Sequence, residues 1–169
     1  MNNVETPRLL LHGMSVTDAE HVVAGSPAAG GRWAPGYPSP GEKGAATRFL
    51  TSCADTGDPS PFGPYEIRLR EDGVVIGGVG FHAAPDVDGS VTIGYGLVES
   101  ARGKGYAGEA LRALLRFARD QGVARVRGDA DVGNVPSQRV MAAAGMRLVA
   151  EDAALKYYAI DWSGSAGEE

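Results

Sequence analysis

A single cysteine, Cys53, stands among 169 residues, so no intrachain disulfide can form, and no Cys/His cluster has the spacing of a zinc site. Long apolar runs are missing too: nothing approaches the ~18 residues that a membrane span needs. Positive charge is short. Sixteen Lys+Arg face 21 Asp+Glu for a formal net charge of −5, which excludes the broad basic field of a nucleic-acid binder. Residues 1–15 carry Glu5 and Arg8 and no basic start followed by an apolar stretch, so no signal peptide is visible. Internal repeats and linkers are absent, while 43% hydrophobic and 22% charged residues argue against disorder. These absences point to one soluble, cytoplasmic domain over residues 1–162 with a polar C-terminal tail at 163–169, and to no nucleic-acid, membrane or metal partner.

Glycine, by contrast, is abundant: 25 of 169 residues, about twice the ~7% of ordinary proteins. These glycines sit among Val, Ile, Tyr and Leu rather than in Ser/Gln tracts, so parts of the backbone are expected to lie close to something. Periodicity sorts the chain into an α+β order. Arg8–Met14 reads as a strand, and Thr17-Asp18-Ala19-Glu20 as a helix start with a capping hydroxyl. Residues 25–41 form a Pro/Gly-dense loop carrying Trp33 and Tyr37, and Ser39-Pro40 opens a second helix to about Ala54. Tyr65–Arg70 and Val74–His82 flank Glu71-Asp72-Gly73, a hairpin signal, and the strand Val91–Val98 follows the Asp86–Gly89 turn. Ala107, Leu111, Leu114, Leu115 and Ala118 then fall on one helix face. A strand over Arg125–Val132, a short helix over Asn134–Ala144, and strands at Met146–Ala150 and Ala154–Trp162 complete the order.

The chemistry concentrates after residue 90. Thr92, Gly94 and Gly96 share one face of their strand, and Val91, Ile93, Tyr95 and Leu97 the other. The first face is nearly bare backbone, open to an extended ligand. Directly beyond it, Arg102-Gly103-Lys104-Gly105-Tyr106-Ala107 opens a helix. Exposed N–H groups, the helix dipole and two cations make that turn a site for a pyrophosphate. Gly103 to Gly108 also spells GxGxxG, with Asp129 or Asp131 beyond the usual ~20-residue offset of a dinucleotide site. Four strands precede it, however, whereas a dinucleotide fold places the motif in its opening βαβ unit. A nicotinamide-dependent oxidoreductase is therefore the weakest reading.

Arg102-x-x-Gly105-x-Ala107 after a glycine-interrupted strand resembles the acetyl-CoA signature of the GNAT superfamily of N-acetyltransferases. Asn134-Val135-Pro136-Ser137, running on to Gly145-Met146, resembles that superfamily's Asn-x-x-Ser…Gly-Phe segment. With Glu5-Thr6-Pro7-Arg8-Leu9 and the Tyr157–Trp162 ending, the pattern looks most like the branch of ribosomal-protein-alanine N-acetyltransferases, over roughly residues 5–162. The resemblance implies a mixed, mostly antiparallel sheet of about seven strands flanked by about four helices, splayed between its fourth and fifth strands. It implies acetyl-CoA as co-substrate and no metal. The backbone of Tyr95, Gly96, Leu97 and Val98 would then meet the pantetheine arm, as would Asn134. Arg102, Gly103, Lys104, Gly105, Tyr106 and Ala107 would surround the pyrophosphate, and Ser137 matches a serine that hydrogen-bonds or protonates the leaving thiolate.

The general base is where the pattern departs. An α-amino group (pKa ~7.7–8) or a lysine (~10.4) is largely protonated at neutral pH, and a base would help it attack. Many relatives carry Glu where this chain has Thr92, and another common catalytic residue, a Tyr, where it has Met141. Thr92 can hold a water but cannot act as that base unaided. His82, ending a strand, is a further candidate on the acceptor side. Trp33 and Tyr37, on a loop similar to the family's acceptor-side loop, and Tyr158 on the closing strand complete the expected substrate contacts. The expected reaction is transfer of acetyl to a primary amine of a small molecule or a protein N-terminus. The alternative is an acyl-CoA-binding sensor or scaffold with little turnover. Neither the acceptor nor the choice between a monomer and a homodimer is legible.

Overall fold

The computed structural model of the chain describes residues 2–162, which leaves the 163–169 tail outside the described residues. Eight strands form one mixed sheet in the order β1-β2-β3-β4-β5-β6-β8-β7. β1 (Asn3–Glu5), β2 (Leu9–Gly13), β3 (Pro64–Leu69), β4 (Val75–Phe81) and β5 (Ser90–Leu97) pair antiparallel in succession. β6 (Arg125–Asp131) runs parallel to β5, and β8 (Leu155–Asp161) and β7 (Arg147–Glu151) continue antiparallel. The helices are α1 (Val16–Ala24), α2 (Pro40–Asp55), α3 (Tyr106–Asp120) and α4 (Val135–Ala143), with a single 3-10 turn at Glu99–Ala101 between β5 and α3. The α+β, mostly antiparallel architecture is the expected one, with one strand more than the seven read from the sequence.

Alternation along β3 sends the helices to opposite faces. Tyr65 points at α3, its ring 6.5 Å from that of Phe117. Its neighbour Glu66 points to the α2 side. Register carries both faces across the sheet, with Gly13, Tyr65, Val79 and Tyr95 in one row and His12, Glu66, Gly78 and Gly96 in the next. α3 buries Ala110, Leu111, Ala113, Leu114, Leu115 and Ala118 on the first face. Each fully buried leucine there contributes about 1.5–3 kcal/mol, which anchors the start of α3 where the anion site is expected.

Capping fixes where the other helices begin. Ser15 Oγ accepts from Asp18 N–H and the Asp18 carboxylate accepts from Ser15 N–H, so α1 starts at Val16, ahead of the expected Thr17 hydroxyl. A reciprocal pair of bonds satisfies two orphan donors, and a lone hydroxyl satisfies one. α2 begins where Ser39-Pro40 indicated, and it too carries a full capping box, with Ser39 N–H donating to Glu42 Oε1 at 2.7 Å. β1 escaped the sequence because its three residues show no alternation; it exists by docking on β2 through Val4 opposite Leu11.

Candidate active site

β5 is paired along one edge and half-paired along the other. His82 N–H donates to Thr92 O and Val98 N–H to Ile76 O, both at 2.9 Å. In an antiparallel ladder that phase turns the polar groups of Thr92, Gly94 and Gly96 toward β4, and those of Ile93, Tyr95 and Leu97 toward β6. β6 meets β5 only at Ser90–Thr92 opposite Arg125–Arg127. Beyond that point the strands part and leave the Tyr95 and Leu97 backbone without a strand partner. This is the expected splay, between β5 and β6 in the full count. The Leu97 carbonyl accepts from Arg102 Nε at 3.2 Å, which confirms the direction in which that edge faces.

The free edge leads into the turn where an anion site is expected. Gly103 (φ 78°) and Gly105 (φ 84°) are left-handed, the region that side chains disfavour. Gly105 caps α3 with no side-chain hydrogen bond, so the N–H groups of Tyr106, Ala107 and Gly108 point outward from the positive end of the helix. Arg102 and Lys104 are exposed beside them. Arg8 braces the turn from behind: Nη1 donates to Lys104 O at 2.8 Å, and the guanidinium lies 4.4 Å above the Tyr106 ring. Glu109 in turn holds Arg8, accepting from its Nε at 2.7 Å and its backbone N–H at 2.9 Å.

On the α3–α4 face, Asn134 Oδ1 caps α4 by accepting from Ser137 N–H at 3.2 Å. The Tyr95 hydroxyl reaches across from β5 to within 2.6 Å of Ser137 Oγ. Burial raises the Tyr95 pKa more than the Ser137 bond lowers it, so the phenol stays protonated at neutral pH. Met141 is 1% exposed and belongs to the core.

The opposite face of β5 floors a cavity of about 260 Å³ beneath α2, lined by Glu42, Ala45, Arg48, Gly78, His82 and Gly94 among others. A Cβ on Gly96 would lie 3.1 Å from Glu42 Oε2, one on Gly78 3.1 Å from Glu42 Cγ, and one on Gly94 3.1 Å from His82 Nε2. The glycine strip, read from the sequence as the surface for an extended ligand, is therefore the floor of this cavity. Its own polar groups are committed to β4, and the open backbone edge belongs to Tyr95 and Leu97.

His82 stands at the cavity mouth. Burial and the neighbouring Arg48 charge lower its pKa, opposed in part by Asp129. Thr92 lies opposite His82 and Arg127, outside the cavity. Trp33 and Tyr37 pack edge to face with centroids 5.3 Å apart. Tyr37 and Tyr158 are 6% and 7% exposed, and neither lines the cavity. Burial keeps both rings from a solvent-borne acceptor, while Trp33 lines a separate depression with Arg32 and Asp72. Glu42 is the residue that sequence reading missed. Its signal was present in Ser39-x-x-Glu42, but only the placement of α2 over Gly78 and Gly96 shows where the second oxygen goes.

A strand with a left-handed glycine turn and an open backbone edge on one flank, and a carboxylate-bearing cavity on its face, offers two separate surfaces on one strand. Residues 8–147 match the family described as Acetyltransferase (GNAT) domain. The chain belongs to the GNAT acetyltransferase family. It is 30% identical over 98 residues to an uncharacterized N-acetyltransferase of Bacillus subtilis (strain 168), YjdG, a stretch covering 57% of this chain and 58% of that protein. Its fold is shared with an acetyltransferase from Agrobacterium tumefaciens C58 at 24% identity and a TM-score of 0.68, covering 96% of this chain and 95% of that one. Mycobacterium smegmatis RimJ in complex with CoA-disulfide matches at 19% identity and a TM-score of 0.67, over 96% of this chain and 88% of that one. Among the described residues no cluster of His, Cys, Asp and Glu is placed to hold a metal ion, and no helix is long and apolar enough to cross a membrane.

Proposed function

We propose that the chain transfers acetyl from acetyl-CoA directly to a primary amine, of a small molecule or a protein N-terminus. One observation carries the reading: the Tyr95–Leu97 edge, which has no strand partner, runs straight into the left-handed Gly103–Gly105 turn and the bare start of α3. An extended amide-bearing arm ending in a pyrophosphate satisfies both, as CoA does. On this reading the Tyr95 and Leu97 backbone pairs with the pantetheine, while Gly96 and Val98 hold β5 to β4. Arg102, Lys104 and the N–H groups of residues 103–107 take the pyrophosphate. Asn134 keeps its oxygen for the α4 cap and offers its amide N–H to the pantetheine. Ser137, held by a protonated Tyr95, gives its proton to the departing thiolate. A backbone N–H of the open edge is placed to stabilise negative charge on the thioester oxygen.

Thr92 and Met141 favour a second reading, a CoA-binding sensor with little turnover, because neither can serve as a base. Calorimetric titration with acetyl-CoA, followed in the same sample by thiol release with a panel of amines, separates the two. Binding with amine-dependent release supports the transferase. Binding without release supports the sensor, and no binding removes both.

A further inference from the structure

We propose that Glu42 is the carboxylate that receives the acceptor's ammonium group and takes the proton it must lose before attack. The inference rests on the acetyl-transfer reading above and supplies the base that the Thr92 and Met141 positions lack.

Three observations converge on it. First, Glu42 is oriented. Its Oε1 is fixed by Ser39 N–H at 2.7 Å, and its Oε2 accepts no hydrogen bond from the described residues and hangs 3.1 Å from the place a Gly96 Cβ would occupy. The glycine floor exists where this carboxylate meets the sheet, since a Cβ at Gly96 or Gly78 would already crowd it, and both glycines and Glu42 line the same cavity. Second, Glu42 is the one carboxylate lining the cavity among the described residues. Glu66, the nearest alternative on β3, is 4% exposed and bound by Arg68 at 2.6 and 2.9 Å. Third, among the described residues no other ionisable group lining the cavity competes with Glu42 for a proton from the acceptor. Arg48 is a cation, and burial together with the Arg48 charge lowers the His82 pKa, which favours the neutral imidazole. Tyr37, which feels the charges of Glu42, Glu66, Arg68 and Asp18, is pushed up by burial and stays protonated. A positively charged amine entering this space meets one free anionic oxygen, beside the strand whose other flank takes the thioester.

The step balances. One ammonium proton passes to Glu42 and on to solvent through the cavity mouth. The freed lone pair forms the N–C bond to the acetyl carbon as the C–S bond breaks. The second nitrogen proton is lost as the amide forms, and the thiolate ends as a thiol through the Ser137 hydroxyl. The sum is ammonium plus thioester giving amide, thiol and one proton.

Glu42→Gln is the test, because a glutamine oxygen still accepts from Ser39 N–H and the α2 cap survives. The expected result is a fall in acceptor kcat/KM of about 10²- to 10⁴-fold, with acetyl-CoA affinity and the unfolding transition unchanged. The rate of the variant should then follow the free-amine fraction, rising about tenfold per pH unit below the acceptor's pKa, and added formate should restore part of the rate to Glu42→Ala. A Glu42→Gln variant within about threefold of an active wild type overturns the assignment and leaves the transferase reading standing. So does a His82→Gln variant that shows the loss and the pH change in its place. A wild type that binds acetyl-CoA but releases thiol with no amine removes the transferase reading and this inference with it.

Discussion

Replacing Glu109 by glutamine should destabilise the fold and, on the proposed reading, weaken acetyl-CoA binding together, because one carboxylate ties the chain's first strands to the Gly103–Gly105 turn. Its Oε2 accepts from Thr6 Oγ1 at 2.5 Å and from Arg8 N–H at 2.9 Å, and its Oε1 from Arg8 Nε at 2.7 Å. The Glu109 side chain is 12% exposed and the Arg8 side chain 46%, so the ion pair itself contributes at most about 1 kcal/mol. Hydrogen bonds to a charged group contribute more, about 1.5–3 kcal/mol each. Glutamine keeps one acceptor oxygen and turns an NH₂ against a donor, for a net loss of about 2–3 kcal/mol. Arg8, once loosened, gives up its hold on Lys104 O and Tyr106, and acetyl-CoA affinity should fall roughly tenfold, or about 1.4 kcal/mol. Urea unfolding and calorimetry at pH 7 read the two effects. The pH dependence has a definite sign. Burial pushes the Glu109 pKa up, but the Thr6 and Arg8 hydrogen bonds and the Arg8 charge outweigh it and hold the carboxyl below its ordinary 4.5. Its stabilisation is therefore complete above that ordinary value and is lost as pH falls through the lowered one, where wild type and variant should converge. A variant within about 0.5 kcal/mol of wild type at pH 7 would refute the reasoning.

Three further outcomes follow from the same geometry. Gly105→Ala should weaken acetyl-CoA binding more than Gly103→Ala: both carry the left-handed penalty of about 1–2 kcal/mol, but only at Gly105 would the new Cβ meet Arg8, 3.2 Å from Nη2. The reverse ranking by calorimetry would contradict the bracing role of Arg8. Tyr95→Phe, which deletes the 2.6 Å bond to Ser137, should cost about 1 kcal/mol of stability and lower kcat while leaving acceptor KM in place. An unchanged kcat in steady-state assays would remove Tyr95 from the thiolate relay. The His82 imidazole should titrate below its ordinary 6.5 by NMR, with Arg48→Gln raising the midpoint and Asp129→Asn lowering it further. A midpoint indifferent to Arg48 would show that burial alone sets it.

Much of this was legible because local rules carried it. The 3.6-residue period placed α3, Ser39-Pro40 placed the start of α2, and the glycines of Arg102–Ala107 marked the left-handed turn where α3 opens. Asn134 and Ser137 were read as binding residues, and what the structure shows of the pair is the α4 cap. What stayed hidden depended on tertiary packing. Alternation along β5 separates two faces without saying which helix covers each, so the strip of Gly94 and Gly96 was read as the bed of an extended ligand, whereas it floors the cavity beneath α2. Tyr37 and Tyr158 were indistinguishable in sequence from exposed aromatics, and Glu42 from any glutamate that closes a capping box.

Label transfer tests the central claim most directly. Acetyl-CoA labelled in the acetyl group, incubated with the protein and with α-amino peptides, lysine, polyamines and aminoglycosides, should lose its label to the amide of at least one amine, in step with thiol released. Label that remains in acetyl-CoA with every amine, despite measurable binding, would contradict acetyl transfer across β5.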